Sequence, residues 1–356
     1  MDAGEAGSGG HGRPATIRDV AALSGVAAST VSRALSQPGR VNHATVARVR
    51  AAAEELGYAH IARPRGLSSS RAGAVAVFVP DITNPFFFDF IHSTHHQLRT
   101  AGYAQMLVDT EEDVDLEAAY LEEFQGSAVG FILAATRLED DQLVAAAART
   151  PIVALNRDTE GVPSVMIATP EGVRQAAEHL LSLGHRDIAY IAGPPTSWSD
   201  QSRWAALEES AAVLGITMRR LGPYHPSRSS GPAAADALVN SGATACITFN
   251  DLLAIGILAR LAERGIDVPG QMSVVGCDDI FGADFCSPPL TTLTSPIEQA
   301  GRVATDLLIS RLRRPAGAQP RNRALLPTHL TIRSSTGQAP LRPVMTGQEG
   351  LAQRTG

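Results

Sequence analysis

From Gly73 onward the chain alternates short apolar, β-branched runs with segments of helical period, and that alternation restricts it to parallel α/β folds. AVAVFVP, AQMLVDT, GFILAA and IVALN form a first set of strand runs, separated by helical patterns around 87–101, 116–124 and 140–148. DIAYIAG, ATACITF and SVVGCDD form a second set, with helical patterns around 204–214 and 252–264. Parallel strands are joined by crossover helices and buried on both faces, so their runs are apolar throughout. Two such sets in succession predict two α/β lobes. No Gly-x-Gly-x-x-Gly or Walker-type loop is present, so no nucleotide cofactor is expected.

The N-terminal part reads differently. Residues 1–13 (MDAGEAGSGGHGR) are Gly-rich and polar without apolar periodicity, which predicts a disordered leader. Thr16-x-x-Asp19 then starts a helix in capping-box fashion. Ile17, Val20, Ala21 and Leu23 make its stripe, and Gly25 stops it. A second helix runs from Ala28 to Leu35 with Val31, Ala34 and Leu35 inward. Asn42 caps a third, whose Val46, Val49, Ala53 and Leu56 recur at helical spacing before Gly57. Three short helices with a tight turn between the first two fit a helix-turn-helix, although periodicity alone equally allows an ordinary Ala-rich helical cluster. Charge separates the two ends. From Thr16 to Ala72 eight arginines face three carboxylates, a surplus of about five. The rest of a chain with net charge −6 is therefore acidic, at about −11. Every basic residue is Arg, which codon bias explains as well as phosphate binding does.

The stretch TIRDVAALSGVAASTVSRALSQPGRVNHATVARVRAAAEELGY, Thr16 to Tyr58, resembles the DNA-binding head of the LacI/GalR family, with TVSRAL and AAAEELGY its most specific segments. The resemblance continues to about Ser335. It implies an all-α helix-turn-helix head on a core of two parallel-sheet lobes of the type I periplasmic sugar-binding kind. The implied boundaries are a head at 14–60, a hinge at 61–72 and a core at 73–338. Lobe one takes about 73–183 and 295–324, lobe two about 184–294 and 325–338, and 339–356 is a flexible tail. The implied function is that of a repressor, binding a palindromic operator as a homodimer under allosteric control by a sugar or related metabolite. The tail has no leucine heptads to support a tetramer. By the same resemblance Ala28 and Ser29 present base-reading side chains to the major groove, with Arg33 one turn on and suited to bidentate contact with guanine. Thr30 and Ser32 would hold phosphates through hydroxyls, and Arg18 and Arg48 by charge. Leu67 matches the leucine that wedges into the minor groove from a hinge helix, although Pro64 and Gly66 depart from a good helix-former pattern. Ala27 stands where relatives commonly carry a capping serine.

In the core the resemblance places effector contacts at Asn84, Phe86 and Phe87 of DITNPFF, Arg157 after IVALN, Arg203 in GPPTSWSDQSRW, Asn250 in TFNDLLAIG and Asp278 in VVGCDD. Apart from it, Phe86 and Phe87 read as core residues, and Asn250-Asp251 as a helix N-cap. Two positions depart from the family pattern. Ala168-Thr169 replaces an Asp-Asn pair, and Cys277 replaces an aromatic before the paired aspartates. His92, His95 and His96 share one helix face at a spacing zinc could use, but no Cys or acidic partner is evident, and no metal is assigned. Cys246, Cys277 and Cys286 have no ligand spacing and fit reduced thiols. No run has the apolar length of a membrane span or secretory signal, so a cytoplasmic location is expected and a periplasmic transport receptor is not. A hydrolase is the other competing class. No nucleophile elbow, metal box or supported acid–base pair appears, so no enzyme activity is expected.

Overall fold

The computed structural model describes residues 16–36, 41–56, 73–313 and 323–341. The leader, the hinge with Pro64, Gly66 and Leu67, and the tail beyond residue 341 lie outside the described residues. Contacts divide the chain into two units, at 1–69 and 70–356.

The first unit holds α1 (Ile17–Ser24), α2 (Ala28–Ser36) and α3 (His43–Glu55). Asp19 Oδ2 accepts from the Thr16 backbone N–H at 2.7 Å and from its hydroxyl at 2.6 Å, which closes the first turn of α1. Gly25 follows at φ +68°, where a side chain would be strained. Asn42 Oδ1 accepts from the Ala44 N–H at 2.9 Å to cap α3. Val20, Val31, Ala34, Val46, Val49, Ala52 and Ala53 form the small core. Ala27 starts α2; its carbonyl accepts from Thr30 and Val31, but its methyl cannot accept from the first-turn N–H groups as a serine hydroxyl would.

The second unit carries two six-stranded sheets. The first comprises β1 (Ala74–Val79), β2 (Ala104–Asp109), β3 (Ala128–Ala134), β4 (Ile152–Leu155), β5 (Ser164–Ile167) and β11 (Arg323–Leu326). All its pairings are parallel, in the order β11-β5-β4-β3-β1-β2. Period two on β1 sends Val75, Val77 and Val79 to one face, under α4 (Phe88–Thr100) and α11 (Ile297–Leu312). Ala76 and Phe78 go to the other, under α5 (Val114–Glu123) and α6 (Asp140–Arg149).

The second sheet comprises β6 (Asp187–Ile191), β7 (Thr217–Leu221), β8 (Ala245–Thr248), β9 (Ser273–Asp278), β10 (Thr291–Thr294) and β12 (His329–Thr331). Its order is β12-β10-β9-β8-β6-β7, parallel except for β12, which runs antiparallel to β10. α9 (Gly231–Ser241) and α10 (Asp251–Glu263) cover one face, and α7 (Thr169–Ser182) and α8 (Trp198–Leu214) the other.

Two details differ from the sequence expectation, the first crossing and the start of α8, while the last crossing lies close to where it was expected. The first crossing was expected near Gly184, but it falls at Ala168. The α7 stripe of Val173, Ala176, Ala177 and Leu180 packs against Ile188 and Tyr190 of the second sheet. Gly172 allows that approach, since a Cβ there would lie 2.8 Å from Thr328 and 3.0 Å from Leu293. The last crossing falls just after β11, because Leu326 still pairs with Ile167 of the first sheet. α8 begins at Trp198 rather than near Trp204, because Ser197 Oγ accepts from the Asp200 N–H and starts the helix earlier.

Candidate functional site

On α2, Val31 and Ala34 point into the core while Ser29, Ser32 and Arg33 are exposed on the opposite side. Ala28 and Thr30 are half-buried at the helix start, and Arg18 is exposed on α1. The Arg33 Nε–H donates to the Ser29 carbonyl at 3.2 Å, so the guanidinium lies back along its own helix. That exposed bond is worth about 1 kcal/mol at most, little to give up for a better acceptor.

In the second unit a cleft opens at the carboxyl ends of strands from both sheets. Asn84, Phe86, Phe87, Arg203, Asn250 and Asp278, six of the seven expected contacts, line it together. Pro85 follows Asn84 in a tight turn, and the Asn84 Oδ1 accepts from the Phe86 N–H at 3.1 Å. Its amide N–H₂ group remains to donate. The Phe86 and Phe87 rings meet edge to face at 5.1 Å. Asn250 caps α10 through Leu253 and donates to the Pro226 carbonyl at 3.0 Å, so it is both cap and wall.

The seventh, Arg157, does not line this cleft. Its Nη2 donates to Asp140 Oδ1 at 2.8 Å and its Nε to the Thr159 hydroxyl at 3.3 Å. The preceding residue, Asn156, lines the cleft instead, while its Oδ1 accepts from the Ile167 N–H at 3.0 Å.

Arg203 projects from α8, not from a loop. It is buried, donates from Nη1 to the Phe249 carbonyl and lies 5.2 Å from the Phe249 ring. Its Nε has no hydrogen-bond partner, an orphaned donor in a polar site. Behind it, Asp200 Oδ1 accepts from Tyr190 at 2.8 Å and from the Gly193 N–H at 2.7 Å, while Oδ2 accepts from Arg220 at 2.5 Å. Asp278 sits at the end of β9 with φ +130°, and burial raises its carboxyl well above the ordinary range against the opposing pull of Arg203. Cys277 turns the other way, into the core with Tyr190 and Ile247, so replacing an aromatic there does not open the cleft.

Sequence reasoning missed Glu112 and Arg137. Arg137 Nε and Nη2 both donate to Glu112 Oε2, at 2.9 and 2.5 Å, and Nη1 donates to the Ala135 carbonyl at 2.9 Å. The Arg137 N–H donates to Glu117, whose carboxyl burial pushes up. The one available signal was a lone arginine closely following the apolar run GFILAA. Among the described residues, every non-glycine with a left-handed φ lies just past or at the end of a strand: Glu111, Glu112, Ala135, Asn156, Asp278 and Asp279. Four of them line the cleft, so backbone strain is concentrated at this site.

His92, His95 and His96 are exposed on α4, and among the described residues no group of three His, Cys, Asp or Glu side chains could hold a metal ion. No helix there is long and apolar enough to cross a membrane.

A small helix-turn-helix unit and a two-lobed core with a polar cleft at its strand ends define a DNA-binding transcription regulator with an effector core. Residues 16–60 match the model of the bacterial regulatory proteins of the lacI family, and 177–336 match that of the periplasmic binding protein-like domain. The chain is 30% identical over 333 residues to the HTH-type transcriptional regulator DegA of Bacillus subtilis, covering 90% of this chain and 98% of DegA. It belongs to the LacI family. A lac repressor dimer bound to operator and the anti-inducer ONPF superposes with a TM-score of 0.67 at 27% identity, covering 91% of this chain and all of that one. A LacI family regulator from Enterococcus faecium with bound ribose gives 0.65 at 28% identity, covering 74% of this chain and 98% of that one.

Proposed function

We propose that this regulator represses transcription from a palindromic operator as a homodimer in the cytoplasm, and that a sugar or related metabolite held between the lobes sets its operator affinity. The observation that carries this reading is the pair Asp278-Asp279. Asp278 lines the cleft, while Asp279 accepts from the Thr294 hydroxyl at 2.7 Å and from Arg333 Nη2 at 2.6 Å. Thr294 immediately precedes the second crossing, and its carbonyl accepts from the Thr328 hydroxyl, next to the third, at 2.7 Å. A ligand that pulls on Asp278 therefore acts one residue from the clamp on two of the three crossings, and lobe closure follows from differential contact with the open and closed arrangements.

On the DNA side Ser29 and Arg33 read bases, while Arg18, Thr30 and Ser32 hold phosphates and Ala28 meets a thymine methyl. Leu67 enters the minor groove from the hinge. The head at 14–60, the hinge at 61–72 and the core at 73–338 keep the bounds of the sequence reading, while lobe one is taken as 73–168 and 295–326 in place of about 73–183 and 295–324. No reaction is assigned, and the similar proteins are named as transcription regulators.

Fluorescence anisotropy with a palindromic fragment from the protein's own upstream region, titrated with and without a sugar panel, tests the reading. Operator binding that responds to one or more sugars supports it. Absence of specific DNA binding, or binding indifferent to every ligand that stabilises the protein, removes it.

A further inference from the structure

The cleft's charged groups are balanced lobe by lobe. The first lobe contributes Glu112 and Arg137, and the second contributes Asp278 and Arg203. In the first lobe the two groups are locked together, with both Arg137 bonds falling on the single oxygen Oε2 and the side chains only 4% and 13% exposed. A guanidinium has five N–H donors. Glu112 and the Ala135 carbonyl take three, leaving one on Nη1 and one on Nη2. Glu112 Oε1 accepts from no protein donor among the described residues. Glu112 sits at φ +59° and Ala135, whose carbonyl holds Arg137, at φ +51°, and the Glu112 N–H is pinned to the Pro80 carbonyl at 2.8 Å.

We infer that this pair makes the cleft selective for uncharged polyhydroxy ligands and excludes phosphate esters and sugar acids. The inference rests on the effector-cleft reading and narrows its ligand class. Two donors and an acceptor on a rigid, net-neutral unit match adjacent hydroxyls, each of which donates and accepts. A phosphate or carboxylate meets the same donors but brings its charge beside the Glu112 carboxylate, which already neutralises Arg137, the one cation that this lobe brings to the cleft among the described residues. In the second lobe Arg203 and the Asp278 carboxyl line the same cleft, and it is the locked pair of the first lobe that sets the selectivity.

Three proteins distinguish the outcomes: the wild type, Glu112→Gln and the double variant Glu112→Gln/Arg137→Met. Melting temperature is followed at constant ionic strength against inorganic phosphate, ribose 5-phosphate, gluconate, D-ribose and D-glucose. Glu112→Gln releases Arg137 as a cation, so phosphate and ribose 5-phosphate should raise its melting temperature saturably, by several degrees. The wild type and the double variant should not respond to either anion or to gluconate. A saturable wild-type response to any of the three anionic probes overturns the inference, and so does a folded Glu112→Gln protein that ignores phosphate. If Glu112→Gln does not fold, the wild-type arm decides alone. Failure of the underlying reading looks different: Asp278→Ala would leave sugar-dependent operator binding unchanged while the anion result at Arg137 still stood.

Discussion

At the scale of single residues, the head and the cleft call for opposite kinds of experiment. Arg33 is exposed and only loosely bonded to its own helix, so removing it should cost the fold little. Arg33→Ala should weaken specific operator binding by about 1–3 kcal/mol and relax preference at one base pair per half-site. Competition with scrambled sites checks this, and an unchanged preference would take Arg33 out of the base-reading set. Asp278 is buried at a strained backbone position. Asp278→Ala should abolish the effector response while operator binding persists, which the same anisotropy titration reads directly. A normal response would show that the ligand sits elsewhere. Single residues were also where sequence reasoning was most uneven. Asn250 was legible by itself as a local cap, a role with a short-range signature, whereas Asn84 was placed by the family resemblance, its own capping bond to Phe86 going unread. Arg157 was misplaced and Arg137 overlooked because which of two strand-end arginines turns into a cleft depends on where Asp140 and Glu112 happen to lie, and nothing local encodes that.

Among elements, the clearest gap between sequence and optimum is the start of α2. Ala27→Ser would supply an acceptor for a first-turn N–H and should stabilise the head by about 1 kcal/mol, seen as a higher melting temperature of the helical signal of the DNA-binding unit. No gain would mean that the 27 side chain cannot reach those N–H groups. The β9–β10 connection carries a pH signature. Asp251, fully buried at the start of α10, accepts from Thr292 at 2.6 Å and from the Ile280 N–H at 2.9 Å. Burial still pushes its carboxyl from 3.8 up to about 6. The folded state therefore takes up a proton in that window that the unfolded chain does not, and this group lowers stability as pH rises from about 4 to about 6. The full effect is about 3 kcal/mol. Asp251→Asn removes the titration, so denaturant unfolding at pH 4 and pH 7 should move the stability difference toward the wild type at the lower pH. A difference that does not change with pH would mean that the carboxylate titrates normally. Element existence was legible wherever apolar period was strong, as in β1, α4 and α10. β7 was not, since TMRRL is an edge strand whose Arg219 and Arg220 reach out to Asp187 and Asp200. α9 was not either, since GPAAADALVNS offers mostly alanine contrast.

For the whole molecule, half-site recognition by a head of three short helices requires two-fold symmetry. Light scattering at micromolar concentration should give the mass of a dimer, and a stable monomer or a tetramer would contradict it. The two-lobe plan was legible from the two sets of strand runs. The ownership of α7 was not, because its stripe fits either sheet and only the packing of Val173 and Leu180 beside Tyr190 decides the matter.

The interleaved path of the core also dictates an order of events on the ribosome. α11, with Ile297, Ala300, Ala304 and Leu308, covers a face of the first sheet, and β11 supplies its edge, yet both are translated after nearly all of the second lobe. A nascent chain halted before residue 297 has made five strands of the first sheet, with Ile132 on β3 and Val153 on β4 still lacking the helix that packs over those strands. The lobe whose synthesis begins first is thus the last to close, and throughout that interval it presents a surface of the kind that chaperones hold and aggregates recruit.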